Sequence, residues 1–468
     1  MASRNIFERF LNKKEEVKDS KTLKKMDKDK IVVGLDIGTT KICAIAGRKN
    51  EFGKLEILGM GKAVSEGVTR GVVTNIDRTV EAIQKAIFEA EEQAGIDITE
   101  VNVGIAGQHI RSAQHHGVIM RSNPQDEITV DDVRRLSEDM FKIVIPPGNE
   151  IIHVMPQDYT VDYEAGVKDP VGMAGARMEA DFHVITAHTS AIANINKCVR
   201  KAGLEVVELV LEPLASCLSV LEEDEKEAGV VLVDIGGGTT DVAIFYDGII
   251  RHTAVIPFGG NIITNDIKQG CMVMHNQAEQ LKVKFGRAIA SEANTNEIIS
   301  IPGLRNRIPK EISIKNLAHI IEARMEEIIE LVHSEIIQSG LDGRLAGGIV
   351  LTGGGSQMQS LKQLFEYMTG MDARIGYPNE HLGKGRVDAV KSPMYATSVG
   401  LVLAGFQALD YRENLYQEKS INNMYKTLHK KEPIPTSKMN FGSSSFFVNI
   451  LERTKGMLMD DFNDKNNY

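Results

Sequence analysis

The chain has 468 residues, of which 42% are apolar and 25% charged, and its formal net charge at pH 7 is −10. This length is too great for one hydrophobic core and predicts two to four globular domains. The acidic balance, the absence of Trp and an aromatic content of 5% argue against nucleic-acid binding, because such surfaces need basic residues and aromatic platforms.

The chain also lacks the marks of a membrane-spanning or secreted protein. No stretch reaches 18 consecutive apolar residues, and the charged N-terminus has no apolar segment typical of a signal peptide. The cysteines are scattered without metal-ligand spacing, which is typical of core thiols in a reducing compartment. We therefore expect a cytoplasmic protein. The four cysteines are Cys43, Cys198, Cys217 and Cys271.

The N-terminal segment is strongly charged. We expect residues 1–29 to lie outside the folded domains, with 13–30 disordered or loosely helical. Ile6, Phe7, Phe10 and Leu11 have helical spacing, so a short helix that binds a membrane or a partner is an alternative to a simple tail.

A strand-turn-strand pattern follows at Ile31–Gly47, IVVGLDIGTTKICAIAG. Strand-like stretches continue to Ile57, and the spacing of apolar residues predicts a helix over Asp77–Gly95 with Asp77 as its cap. Val101–Ala106 is another strand-like run. Together these elements predict a β-β-β-α-β unit.

The pattern changes between Gln108 and His183. Short strand candidates surround a helix that begins near Asp131, and five prolines interrupt the segment, which predicts a small inserted α/β subdomain. A helix over Thr189–Gly203, a strand over Val206–Leu211 and a helix over Ala215–Leu221 come next. We expect the charged run Glu222–Glu227 to be a solvated loop.

A second hairpin pattern stands at Gly229–Tyr246, GVVLVDIGGGTTDVAIFY. Its Asp234 follows Asp36 of the first pattern by 198 residues. Glycine turns bring backbone N–H groups close to an anion, and the hydroxyls that follow suit a phosphate chain. The repeat predicts two related α/β domains that face one another with a nucleotide between them.

The next block is largely helical, and its longest predicted helix covers Leu317–Ser339. The strand Gly348–Thr352 then leads into a third glycine turn, followed by a helix over Met358–Met368. Beyond Ala408 the chain becomes polar, and Tyr411–Lys438 has the composition of a linker.

The final stretch, 443–468, has apolar residues every three or four positions and charged residues on its other faces. An amphipathic helix after a polar linker is expected to lie in a membrane interface, with packing on the protein itself as the alternative. The residues expected to enter the membrane are Phe446, Phe447, Ile450, Leu451, Leu458 and Phe462.

The three turns predict one nucleotide site. Asp36 and Asp234 stand at strand ends, where hydrated Mg²⁺ is held by few carboxylates. Absence of side chains in the third turn would let a flat adenine lie on the backbone, and no Walker A sequence is present. The turns are Gly38, Thr39, Thr40 and Lys41; Gly236, Gly237, Gly238, Thr239 and Thr240; and Gly353, Gly354, Gly355 and Ser356.

In this order DIGTTK, VDIGGGTTD and LTGGGS resemble the nucleotide motifs of the superfamily of actin, hexokinase and heat-shock chaperones. Residues 30–410 resemble the FtsA family of bacterial cell-division proteins more closely, above all in IIHVMPQDYTVDYEAGVKDPVGMAGARMEA within the insert. The resemblance implies an α/β, two-lobed actin-like ATPase fold with duplicated βββαβα domains and an inserted small subdomain.

The resemblance also implies a division of the chain and further contacts. Glu279 and Lys282 would contact ribose and adenine, and the C-terminal tail of FtsZ would bind at Arg307, Ile320, Ile321 and Arg324. The divisions are a charged extension (1–29), a first actin-like subdomain (30–107 and 184–204), an SHS2-like insert (108–183), a second actin-like subdomain (205–256 and 346–410), a helical subdomain for nucleotide and FtsZ (257–345), a flexible linker (411–442) and a membrane-targeting helix (443–468).

The function that the resemblance implies is that of an adaptor. It would bind ATP and Mg²⁺ with slow or undetectable turnover, polymerise on the inner leaflet of the cytoplasmic membrane at the division site, tether FtsZ there and recruit later division proteins. A pilus-biogenesis adaptor and a small-metabolite kinase of the same superfamily are the alternatives. The kinase needs a general base beside a substrate pocket, for which the sequence offers no clear candidate.

Overall fold

The computed structural model describes residues 30–294, 296–302, 308–379, 381–383 and 387–428. The extension 1–29, Arg307 and the predicted membrane helix 443–468 lie outside these ranges. The chain divides into two units between Asp410 and Tyr411. All strands, and all helices except the last part of the final one, belong to the first unit.

The strands are β1 (Ile31–Ile37), β2 (Lys41–Lys49), β3 (Leu55–Val64), β4 (Val68–Thr69), β5 (Val72–Val73), β6 (Glu100–Ile105), β7 (Arg111–Met120), β8 (Asn149–Val161), β9 (Glu164–Val167), β10 (Arg177–His188), β11 (Glu205–Leu211), β12 (Val230–Ile235), β13 (Thr240–Tyr246), β14 (Ile249–Ile256), β15 (Ile298–Ile301), β16 (Lys310–Ser313), β17 (Ile349–Thr352) and β18 (Ala373–Ile375).

The α-helices are α1 (Ile76–Ala94), α2 (Val130–Met140), α3 (Thr189–Lys201), α4 (Glu212–Val220), α5 (Glu223–Ala228), α6 (Gly260–Gly270), α7 (His275–Phe285), α8 (Ile314–Gln338), α9 (Leu361–Thr369), α10 (Val387–Val390) and α11 (Ala396–Leu428). None of the helices within the described ranges is both long enough and apolar enough to cross a bilayer.

Two five-stranded sheets have the same topology. The first has the order β3-β2-β1-β6-β11 and the second the order β14-β13-β12-β17-β18. In each, an antiparallel hairpin is extended by parallel strands: Leu35 pairs with Val103, and Val233 pairs with Leu351. The central strands of both sheets are buried on both faces, which explains their continuous apolar runs. The duplicated fold predicted from the sequence is confirmed.

Helix α1 packs against the first sheet and completes the predicted β-β-β-α-β unit. Its buried stripe includes Ile83 and Ile87, at the spacing of one helix face. Its cap is Asn75, whose side chain accepts a hydrogen bond from the N–H of Arg78, so the prediction that Asp77 caps the helix is wrong. Asp77 lies in the first turn, where its negative charge stabilises the helix through its interaction with the helix dipole.

The inserted subdomain has a sheet and a core of its own. Its strands lie in the order β7-β10-β8-β9, and Leu136 of α2 packs with Met178 and Phe182 of β10. The insert also touches the second lobe, because Ser112 Oγ donates to Thr253 O at 3.1 Å and Gln157 Nε2 donates to Ile250 O at 2.6 Å.

Two segments that the sequence placed in the second subdomain belong with the first sheet, one as a strand and one as a helix packed on it. Strand β11, placed in the second subdomain by the sequence, pairs with β6 and is an edge of the first sheet. In α11, Val399 and Phe406 pack with Val32 and Ile45 of the first sheet. The boundary at 205 and the end of the range 346–410 are corrected accordingly, whereas β17 and β18 within that range lie in the second sheet as expected.

Two other expectations about local structure are also wrong. The charged run Glu222–Glu227 is largely the helix α5, at whose N-terminus the N–H of Glu222 donates to Glu225 Oε2 at 3.0 Å. Helix α11 continues to Leu428, so the first part of the predicted linker is helical.

Candidate functional site

The first turn follows β1 and places a carboxylate beside an ammonium group. Asp36 accepts hydrogen bonds from Lys41 Nζ at 3.4 Å and from Ser398 Oγ at 3.0 Å. Burial lowers the pKa of Lys41, but the charge and hydrogen bond of Asp36, with smaller contributions from Cys43 and Tyr395, together outweigh it, so the pKa lies above its ordinary value and the ammonium stays charged. The turn therefore presents a fixed positive charge next to the hydroxyls of Thr39 and Thr40.

The second turn, between β12 and β13, is held by backbone hydrogen bonds. The N–H of Gly236 donates to Thr239 O at 2.9 Å, and the first residue of α6, Gly260, donates its N–H to Gly236 O at 2.9 Å. Asn261 N–H donates to Gly237 O at 2.8 Å. The start of α6 thus fixes the carbonyls of the turn in place.

The first two turns meet face to face. A Cβ atom added to Gly238 would lie 2.5 Å from Thr39 Oγ1, and one added to Gly237 would collide with Thr40 Oγ1. Gly238 is also closed in by the backbone of Arg70, whose N would be 3.0 Å from the added atom. Glycine is needed at both positions because the opposite lobe occupies the space of a side chain.

The third turn, after β17, contacts the second. Gly353 has φ +81°, and a Cβ there would collide with Asp234 Oδ1. Ser356 Oγ donates to Gly353 O at 2.8 Å and closes the turn. Gly354 is different: it is exposed, and the nearest atom to an added Cβ is 4.0 Å away. Gly354 therefore has the open backbone surface that the sequence predicted for a flat base.

Glu279 and Lys282, on one face of α7, are tied to α6. Lys282 Nζ lies 2.8 Å from Glu279 Oε2 and donates to Gly260 O at 2.9 Å and to Thr264 Oγ1 at 2.8 Å. Thr264 Oγ1 also contacts Glu279 Oε2 at 2.5 Å. Since Gly260 binds the second turn, this network brings both predicted residues to the edge of the phosphate turns.

Four acidic side chains gather where the sheets face each other. Burial raises the pKa of Asp234, and Asp36 raises it further, although hydroxyls of Ser216 at 2.6 Å and Thr397 at 3.1 Å oppose the shift. Burial and then Asp234 raise the pKa of Asp241 well above its usual range. Burial, followed by the charges of Asp36 and Asp241, does the same for Glu212.

This acid cluster fits a hydrated divalent cation. Asp241 Oδ1 is buried and has no hydrogen-bond partner, and like charges crowd around it. Within the described ranges no three His, Cys, Asp or Glu side chains are arranged to hold a metal directly. Mg²⁺ suits such a site because it keeps most of its waters and takes few carboxylates.

The sequence reasoning missed four of these residues. Glu212 opens α4 just after β11, and a strand that ends in an acid is the signal that was available. Thr397 and Ser398 are neighbours on α11, and each donates to a different aspartate: Thr397 to Asp234 and Ser398 to Asp36. The fourth is Ser216, whose Oγ donates to Asp234 at 2.6 Å.

Comparisons with known proteins match this chain to one family along most of its length. The family model described as cell division protein FtsA matches residues 231–400, and that of the SHS2 domain inserted in FtsA matches residues 107–186. The cell division protein FtsA of Pseudomonas aeruginosa is 45% identical over 378 residues, covering 81% of this chain and 90% of the relative. The chain belongs to the FtsA family.

Other relatives agree with this membership. FtsA of Neisseria meningitidis is 42% identical, covering 79% of this chain and 89% of the relative. FtsA of Escherichia coli K12 is 38% identical, covering 80% of this chain and 90% of the relative. A model of Hsp70 proteins also matches residues 191–254, which include the second hairpin.

Solved structures with low sequence identity have the same fold. A PilM–PilN type IV pilus biogenesis complex matches with a TM-score of 0.60 at 16% identity, covering 80% of this chain and 98% of that one. MreB5 of Spiroplasma citri bound to ADP matches with a TM-score of 0.51 at 15% identity, covering 83% of this chain and 99% of that one. The predicted actin-like ATPase fold is confirmed for this FtsA-family chain.

The residues expected to bind the FtsZ tail are only partly available on the surface. Ile321 is 0% exposed and belongs to the core of the second lobe, so its assignment to a binding surface is wrong. Ile320 is half-buried, and Arg324 Nε donates to Asp266 at 2.6 Å on the neighbouring helix α6. Ile320 and Arg324 therefore stay predictions for this surface of the FtsA-family chain.

Proposed function

We propose that this protein binds ATP with hydrated Mg²⁺ in the cleft between the two sheets. The observation that carries the proposal is the contact of Gly237 and Gly238 with Thr40 and Thr39, which brings the phosphate turns of both lobes together. Backbone N–H groups of the second turn and the ammonium of Lys41 would bind phosphate oxygens from opposite sides. The open surface at Gly354 would accept the adenine.

The acid cluster would hold the waters of the metal ion and keep ATP hydrolysis slow. Asp36 and Asp234 are held by hydroxyls and would orient the water shell of Mg²⁺, which supplies positive charge next to the phosphates. Glu212 would bind a proton or a water molecule beside them, since its raised pKa favours the protonated form. We expect slow ATP turnover, because a carboxylic acid that holds its proton is a poor base.

Equilibrium binding of a fluorescent ATP analogue, with and without Mg²⁺, tests this part. We expect Mg²⁺-dependent binding and a loss of affinity in Lys41→Met. In Glu212→Gln, binding should be kept while residual hydrolysis falls. Rapid phosphorylation of a small metabolite would favour the kinase alternative and contradict the proposal.

We further propose that the protein acts in cell division as an adaptor on the cytoplasmic face of the membrane. Membership of a family whose named relatives are cell division proteins supports this role. The adaptor would form filaments, bind the FtsZ tail through the α6–α8 region and recruit later division proteins. Its membrane contact would be the amphipathic segment 443–468.

Binding of an FtsZ C-terminal peptide, followed by fluorescence anisotropy, tests the partner. An acidic-to-apolar tail suits an arginine beside an apolar groove. We expect Arg307→Ala to weaken binding, whereas Arg305→Ala removes the same charge two residues away and should have a smaller effect. Equal binding by both variants and the original protein would rule out the role of Arg307.

Liposome sedimentation tests the membrane contact. Leu451→Glu places a charge on the apolar face of the predicted helix and should release the protein from anionic vesicles, as should deletion of 443–468. Asn449→Glu adds the same charge on the opposite face and should leave most of the binding intact. Unchanged sedimentation after the deletion would remove the membrane helix from the proposal.

The pilus-adaptor alternative rests on fold similarity alone, since the PilM–PilN structure is 16% identical to this chain. A specific interaction with the FtsZ peptide would favour the division role, and its absence together with binding to a pilus-assembly protein would favour the alternative.

A further inference from the structure

Arg70 stands in a strained turn beside the nucleotide turns. Strands β4 and β5 pair Thr69 with Val72, so Arg70 and Gly71 form a two-residue hairpin turn. Both residues have positive φ angles, 50° and 74°. This is the pattern of a type I′ turn, in which Asn or Asp normally precedes glycine because other side chains are strained in the left-handed region. An arginine at this position therefore costs stability that a shorter polar residue would keep.

A second hairpin of this protein shows the usual residue at the same position. Between β13 and β14, Asp247 and Gly248 form a two-residue turn with φ angles of 57° and 75°. Asp-Gly is a pair that this turn prefers. The turn lies at the opposite end of β13 from the second phosphate turn. Since the two backbones are alike, the backbone does not explain the arginine, and its location has to.

The turn at Arg70 is held against both phosphate turns. The N–H of Gly71 donates to Thr39 Oγ1 at 3.1 Å. A Cβ atom added to Gly238 would lie 2.9 Å from Arg70 Cα. On the other side, a Cβ atom added to Gly107 would lie 3.1 Å from Arg70 O. These contacts maintain the strained conformation and keep the Cα atom of Arg70 next to the second phosphate turn.

The side chain of Arg70 is available to a ligand. It is exposed, and among the residues that the structure describes none forms an ion pair or a hydrogen bond with it. Lys41, in contrast, is paired with Asp36 at 3.4 Å. A triphosphate brings several negative charges into a cleft that already holds Asp36, so a cation that no acid neutralises adds attraction.

The two ends of the second turn indicate the direction of the phosphate chain. At one end, Gly236 O accepts a hydrogen bond from Gly260 N–H, and Gly260 O accepts one from Lys282 Nζ. This is the edge where ribose and adenine are expected. At the other end, Gly238 lies against Arg70. A nucleotide whose base lies beyond Gly236 therefore has its terminal phosphate near Gly238 and Arg70.

We propose that Arg70 binds the γ-phosphate and gives the site a preference for a nucleoside triphosphate over a diphosphate. This inference rests on the proposed function of the nucleotide turns. The guanidinium donates charge-assisted hydrogen bonds to phosphate oxygens from the first lobe, while the N–H groups of the second turn bind them from the second lobe. Asparagine would relieve the strain at this position, but it is neutral and shorter and would lose the contact.

Isothermal titration calorimetry of the full chain with Mg²⁺, comparing a non-hydrolysable ATP analogue with ADP, tests this role. Arg70→Asn suits the left-handed turn and removes the charge. We expect it to weaken binding of the analogue about tenfold, the effect of losing a hydrogen bond to a charged group, and to change ADP affinity less than about twofold. The melting temperature of the nucleotide-free protein should rise by about 1 °C, because strain is relieved.

Two further variants separate the charge from the backbone. Arg70→Lys keeps the charge and should lose less affinity for the analogue than Arg70→Asn. Asp247→Asn changes the corresponding position of the β13–β14 turn and is the matched control, which should bind both nucleotides as the original does. Unchanged affinity in Arg70→Asn, equal losses for the analogue and ADP, or an equal loss in Arg70→Lys would overturn the role of Arg70. Failure of the original protein to bind either nucleotide would contradict the nucleotide site itself, and this role with it.

Discussion

The two glycine-turn hairpins have the same strand register, but their turns differ in where they carry side chains. Asp36 pairs with Cys43, and 198 positions later Asp234 pairs with Asp241. Where the first turn carries hydroxyls at 39 and 40, the second has glycines at 237 and 238. Each glycine lies against a threonine of the other lobe. The two hairpins are equal frames, and the lobes fit because one turn carries side chains where the other has glycines.

The same comparison extends to charge. The first turn places Lys41 next to Asp36, whereas the second carries two acids and has no cation at the corresponding position, which is Thr239. Cys43 corresponds to Asp241, and burial raises the pKa of the Cys43 thiol to about 11, so it stays neutral. The positive charge thus comes from the first turn, and most of the negative charge comes from the second.

The largest effect is expected at Gly238. In Gly238→Ala the new Cβ meets the backbone of Arg70 as well as Thr39, and overpacking against backbone costs about 3 kcal/mol. We expect ATP affinity to fall roughly a hundredfold, measured with a fluorescent analogue. Thr39→Ala should not rescue it. In Gly237→Ala the close atoms belong to the side chain of Thr40, so this substitution should reduce affinity less in a Thr40→Gly background than in the original protein; equal losses in the two backgrounds would contradict the contact between the turns.

The second effect concerns Asp241. Folding raises the pKa of Asp241. The protein therefore loses stability as the pH rises from the unfolded-state pKa of this carboxyl towards its folded-state pKa, because the folded state resists its ionisation. We therefore expect Asp241→Asn to stabilise the metal-free protein by about 2 kcal/mol at pH 8 and by less at pH 5, in urea unfolding with EDTA. A gain that is equal at both pH values would show that charge is not the cause. With Mg²⁺ and ATP present, the variant should lose its advantage.

A smaller effect is expected in the third turn. Gly354→Ala meets no neighbour and has an ordinary φ of −64°, so the melting temperature should be unchanged. If adenine lies on this backbone, the added methyl group should weaken ATP binding about tenfold. Binding of inorganic triphosphate serves as the control, since it lacks the base and should be unaffected. Unchanged ATP affinity would place the base elsewhere.

The smallest effect is expected from removing the hydroxyls of α11 that donate to Asp36 and Asp234. Ser398→Ala leaves Asp36 with Lys41 at 3.4 Å and should cost about 1 kcal/mol of unfolding free energy. Thr397→Val should cost less, because Asp234 keeps the hydrogen bond from Ser216 at 2.6 Å. Urea denaturation of both variants measures the difference. A larger loss of unfolding free energy in Thr397→Val than in Ser398→Ala would contradict these hydrogen-bond assignments.

The sequence by itself determined the local elements and the duplication. Buried strands, glycine turns and amphipathic helices are periodic patterns over a few residues, so the hairpins at Ile31–Gly47 and Gly229–Tyr246 and the separate insert could be predicted. The contacts of the turns were expected as well, because a repeated phosphate-binding motif implies two faces around one ligand. The FtsA family was recognised from such stretches.

Only the tertiary structure decided which elements pack together. The local sequence does not show that β11 pairs in the first sheet or that α11 packs against it. Ile321 follows Ile320 on α8 and was assigned to the same surface, although its side chain is fully buried. Burial, followed by the charges of Asp36 and Asp241, raises the pKa of Glu212, and Asp36 lies 176 positions away in the chain. Burial and charge at these positions depend on residues far apart in sequence, and a local pattern carries no information about them.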